Sequence, residues 1–95
     1  MDNTAKVEAL LHKSVKATFK KAAALFGDPD AQTRITEAFT EASRIWGGEI
    51  AAKQWLLEKT ASLGGQIPLC LSGESAEGHK NVLKYLGIIE FGTYG

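Results

Sequence analysis

The chain has 95 residues, with 11 basic and 11 acidic side chains and no net charge. That size gives one small domain, and the balanced charge argues against a dedicated nucleic-acid or membrane-surface binder. A single cysteine, Cys70, excludes an internal disulfide and fits a reducing, cytoplasmic setting.

No apolar run reaches the ~18 residues of a membrane span, and the polar start MDNTAKVEALLHKS is unlike a secretion signal. Charge is uneven along the chain. Residues 1–26 hold five Lys against Asp2 and Glu8, whereas residues 27–95 hold six basic and nine acidic residues.

Val7, Leu11, Val15, Phe19, Ala23 and Phe26 recur every three or four positions, with Lys13, Lys16, Lys20 and Lys21 between them. This spacing predicts a basic amphipathic helix within residues 1–28, a candidate dimerisation element. Gly27 stops it, and Asp28-Pro29 reads as an N-cap followed by a first-turn proline. A second helix then runs from about Pro29 to Trp46, burying Ile35, Ala38, Phe39, Ala42, Ile45 and Trp46.

Gly47-Gly48 ends that helix. Glu49 to about Lys59 forms a third, with apolar residues on several sides, so it is expected to be the most central. Leu63-Gly64-Gly65-Gln66-Ile67-Pro68-Leu69 cannot continue a helix. It is expected to form a Gly/Pro-rich turn, with Pro68 opening a short turn through Leu71. A last helix spans about Ser75 to Leu86 on a face of Ala76, His79, Val82, Leu83 and Leu86, and IIEFGTYG follows as an irregular C-terminal tail. The fold class is therefore all-α, a bundle of four to five helices. Trp46, Trp55, Leu56, Leu63, Val82 and Leu86 are its expected core, and residues 29–95 form the main unit.

Catalytic constellations do not survive inspection. GESAEGHKN has the Gly73/Gly78 spacing of a phosphate loop, but His79 stands where lysine is required and no Ser or Thr follows Lys80. Cys70 lies between Leu69 and Leu71, an apolar setting that raises a thiol pKa and disfavours a nucleophile. His12 and His79 have no ligand-spaced Cys or His, so no metal site is expected, and no cofactor either. The chain is read as a non-enzyme.

Trp55-Leu56, Leu63-Gly64-Gly65 and Pro68-Leu69, with IWGG at 45–48, Gly78, NVLKYLGII at 81–89 and the closing Glu90-Phe91-Gly92-Thr93-Tyr94, resemble the antitoxin Xre/MbcA/ParS toxin-binding domain family. The resemblance covers about residues 35–95. It implies an antitoxin of a type II module whose partner is a RES-type toxin that consumes NAD, with the antitoxin domain covering the toxin's active-site cleft. It also implies an N-terminal helix-turn-helix region for dimerisation and operator binding. Here only about 30 residues precede the match, too few for that module, which argues against DNA binding.

The turn and the tail are the expected partner-binding features: Gly64, Gly65, Gln66, Pro68 and Leu69, with Glu90, Phe91, Gly92 and Tyr94. A rigid corner loses little freedom on docking, and terminal aromatics supply interface energy. The alternatives are a small dimeric DNA-binding regulator and an adaptor that keeps the domain with a non-toxin partner.

Overall fold

A computed structural model describes residues 4–10 and 14–90. Among these are six α-helices: α1 (Thr4–Ala9), α2 (Val15–Phe26), α3 (Pro29–Trp46), α4 (Glu49–Leu57), α5 (Pro68–Glu74) and α6 (Ala76–Glu90), with a 3₁₀ turn at Ala61–Leu63. The class is all-α, as expected. The helix count exceeds four to five because the N-terminal stripe is divided and because Pro68 opens a helix rather than a turn.

The division falls at Ser14, whose extended backbone and side-chain oxygen, accepting from the Ala17 N–H at 3.2 Å, start α2 afresh. The Thr18 hydroxyl, fully buried, donates to the Leu10 carbonyl at 3.0 Å and ties the two N-terminal pieces together. Val7, Leu10 and Ala22 are buried, and Phe19, Leu25 and Phe26 pack against the same core. Val7, Phe19 and Phe26 of the stripe expected to serve dimerisation thus pack on the chain's own core, where α2 lies on α3. Phe19 and Phe39 face each other across that contact, with ring centroids 4.0 Å apart.

Helix α3 has the limits its sequence predicts. Asp28 accepts from the Asp30 N–H at 3.0 Å, Pro29 occupies the first turn, and Gly47 closes the end. Ala31, Ile35, Ala38 and Ala42 form its buried stripe, and the small alanines let α4, α5 and α6 approach closely.

The central element is α5, not α4. In α4 only Ala52, Leu56 and Leu57 are buried, and Ile50 points outward at 77% exposure. In α5, five of seven residues are buried: Pro68, Leu69, Cys70, Ser72 and Gly73. Its last carbonyls are satisfied by Arg34 of α3, whose guanidinium donates to the Ser72 oxygen at 2.6 Å and the Gly73 oxygen at 2.8 Å. This caps a helix too short to be stable alone.

Glycine explains how α5 is packed from two sides. A Cβ on Gly73 would lie 2.5 Å from the Phe26 ring, and one on Gly78 would lie 2.4 Å from the Leu71 carbonyl oxygen. The two glycines with phosphate-loop spacing therefore sit in helices α5 and α6, where they allow close approach.

The core residues divide by depth. Leu56, Val82 and Leu86 are buried, whereas Trp55 and Leu63 are half-buried and pack on the core. Trp46, expected inside, is 39% exposed at the rim. It is the last residue of α3, and its ring lies beside that of the half-buried Trp55. The helical pattern of the tail also differs from expectation: Ile88, Ile89 and Glu90 continue α6.

Candidate functional site

Residues 60–66 form a knuckle closed by the backbone. Thr60 N–H donates to Gln66 O at 3.0 Å, and Gly65 N–H donates back to Thr60 O at 2.9 Å. Within this ring, Leu63 N–H bonds Thr60 O and Gly64 N–H bonds Ala61 O, both at 3.0 Å. The path needs left-handed backbone at Gly64 (φ 72°) and Gly65 (φ 76°), which a side chain would strain. Gly64, Gly65 and Gln66 are exposed, as a partner-binding role requires.

Pro68 and Leu69 do not share that position. Both are fully buried at the start of α5, so they hold the knuckle from beneath and cannot touch a partner. Apolar side chains at the first turn of a helix that enters the core have no other place to go.

A groove of about 400 Å³ runs between the knuckle and the outer face of α6. Leu63, Leu71, Tyr85 and Ile88 make it apolar, and Ser62, Asn81 and Lys84 supply polar groups. Asn81, Lys84, Tyr85 and Ile88 fall three or four residues apart, hence on one helix face. Behind the groove, Tyr85 stacks on Trp55 (centroids 6.0 Å apart, planes at 13°), and Trp55 contacts Trp46 at 6.3 Å. The aromatic row fixes the Tyr85 ring.

Sequence reasoning did not single out Asn81, Lys84, Tyr85 and Ile88. The signal was present: a large aromatic and a β-branched residue lie off the buried face of α6, where a solvated helix carries polar residues.

At its C-terminal end α6 is tied to α3. Arg44 pairs with both Glu90 carboxylate oxygens, one at 3.1 Å, and with Glu41 at 2.6 Å. Glu90 is thus engaged within the chain and fastens the end of α6 to α3. Phe91, Gly92 and Tyr94 lie outside the described residues.

Hydrogen bonding from Arg44 holds the Glu90 carboxyl below its ordinary value of 4.5. A depressed carboxyl stabilises the fold above that ordinary value, and the contribution disappears as pH falls through the lower folded value. Glu90→Gln should therefore be less stable than the wild type at pH 6, and the difference should shrink as pH falls into the acid range, measured by urea unfolding across a pH series. Equal stability of the two chains at pH 6 would remove the tie.

A second cluster joins three helices. His79 Nδ1 lies 3.0 Å from the Ser72 hydroxyl, and His79 Nε2 lies 2.7 Å from Glu37 Oε1. The composition suggests a nucleophile relay, but the Ser72 side chain is fully buried and no substrate can reach it. The cluster pins α6 to α5 and α3. Cys70, buried in α5, is likewise part of the core. No group of three or more potential metal ligands occurs among the described residues, and none of their helices is long and apolar enough to cross a membrane.

A small helical domain with an internally braced knuckle and a partly apolar groove beside it has the form of a protein-binding module. Residues 41–92 match the family model for the antitoxin Xre/MbcA/ParS C-terminal toxin-binding domain. That is just over half the chain, and it contains the whole knuckle and every residue lining the groove. The protein belongs to this antitoxin family. Searches of curated proteins and of solved structures return no match.

Proposed function

We propose that this antitoxin neutralises a RES-type, NAD-consuming toxin by covering the toxin's active-site cleft. The observation that supports this reading most directly is the placement of the braced knuckle and its groove within the matched toxin-binding region. A second groove, about 670 Å³, is lined by Val15, Phe19 and Phe39 among others, and all but one of its lining residues precede the match.

In this account Gly64, Gly65 and Gln66 form the rigid contact, and Phe91, Gly92 and Tyr94 contribute to binding beside it. Inhibition requires no chemistry from the antitoxin, only a surface that excludes substrate. The site of action is the cytoplasm, where NAD is available to the toxin.

Co-expression with a RES-type toxin tests the proposal. Wild-type antitoxin should restore growth and cellular NAD, and deletion of residues 91–95 should abolish the rescue while leaving the fold intact by circular dichroism. Full rescue by the truncated chain would remove the tail from the inhibitory contact.

A regulator that binds DNA is the second reading, favoured by Lys20 and Lys21, both exposed on α2. A gel shift with the upstream DNA at physiological salt separates the two, since phosphate contacts would give binding that weakens steeply with salt.

A further inference from the structure

We propose that the groove between the knuckle and α6 receives a toxin segment carrying an apolar side chain beside a carboxylate. The proposal rests on the toxin-binding reading and specifies its chemistry.

Charge is the first argument. Residues 27–95 carry nine acidic and six basic side chains, yet among the described residues Lys84 is the only charged one lining this groove. Among the described residues, the side chains of Lys84 and Asn81 form neither a hydrogen bond nor an ion pair. A carboxylate arriving here meets an ammonium and an amide donor one helical turn apart, with no acidic neighbour in the lining to repel it.

Shape and polarity make the second argument. Ile88, 41% exposed on the last turn of α6, lines the groove together with Tyr85 and with Leu63 of the knuckle. Tyr85 is already held by Trp55, so its ring loses little freedom when a partner packs on it. A purely acidic segment would leave this apolar floor wet, and a purely apolar one would leave Lys84 unpaired. A segment with both features satisfies the groove. The charge pair would set register and encounter rate, and the apolar contact would supply most of the affinity.

The test is titration of a catalytically inactive RES-type toxin with wild type, Lys84→Gln, Lys84→Glu and Ile88→Ser, each checked for an unchanged unfolding midpoint. Lys84 and Ile88 are exposed helix positions, so all three variants should fold. Lys84→Gln should weaken binding about 5-fold and flatten its salt dependence, and Lys84→Glu should weaken it about 30-fold. Ile88→Ser should cost about 10-fold.

Replacing toxin carboxylates singly with lysine should yield one variant that restores binding to Lys84→Glu. Should Lys84→Glu bind within 2-fold of wild type, whatever Ile88→Ser does, the proposal is overturned and the toxin reading stands. Absence of wild-type binding to any RES-type toxin overturns the reading on which it rests, and the proposal with it.

Discussion

Valine at position 78 should lower the stability of the protein by about 3 kcal/mol, the scale of overpacking in a close-packed interior. The cause is local. A Cβ at Gly78 would sit 2.4 Å from the Leu71 carbonyl oxygen and 3.1 Å from Ser75 Oγ. The first is backbone, so relief requires moving α5 itself, which carries fully buried Leu69 and Ser72. The second is the hydroxyl that accepts the Gly78 N–H at 2.9 Å and orders the start of α6.

Gly87 in the same helix supplies the control. Its Cβ would meet nothing within 4 Å, so Gly87→Ala should stabilise by about 0.5–1 kcal/mol through helix propensity alone. Denaturant midpoints of the two variants should move in opposite directions. A neutral Gly78→Val would mean that α5 and α6 are not in close contact at this point.

The second large effect is expected at Gly65, and it should appear in binding more than in stability. Its φ of 76° is left-handed, and its N–H closes the knuckle on Thr60 O. Valine is β-branched and resists that conformation at a cost of about 1–3 kcal/mol. The knuckle is exposed and joined to the core mainly through Leu63 and the start of α5. The strain should therefore deform the loop rather than unfold the bundle. Gly65→Val is expected to lose toxin rescue with only a small drop in melting temperature. Gly65→Asn, which tolerates left-handed backbone, should keep both. Equal rescue by the valine and asparagine variants would show that the loop's conformation does not matter to the partner.

These two glycine sites show what was legible in the sequence. The bounds of α3 were readable because an Asp-Pro start, an apolar stripe and a closing glycine agree with one another. The Gly64-Gly65 corner was readable because two adjacent glycines interrupt helical periodicity.

Helix α5 was not readable. A seven-residue segment containing Gly73 and Ser72 has weak helix propensity, and its burial against α3 and α6 decides its form. The same burial explains why Pro68 and Leu69 turn inward although they adjoin the exposed loop.

The division at Ser14 was hidden because the apolar period continues across it. The role of Arg34 as a cap and the contact of His79 with Ser72 and Glu37 join residues that lie 38, 7 and 42 positions apart. Only the way α3, α5 and α6 assemble creates them. On α6 the sequence reading followed the buried face. It passed over Tyr85 and Ile88, whose apolar surface faces the groove.

The measurement that bears most directly on the central claim is an NMR perturbation map of the chain with an inactive RES-type toxin added. The account predicts that backbone and side-chain signals of Leu63, Gly65, Lys84, Tyr85 and Ile88 shift or broaden most. Perturbation confined to the Phe19–Phe39 side of the bundle, with the knuckle and the outer face of α6 unchanged, would contradict it.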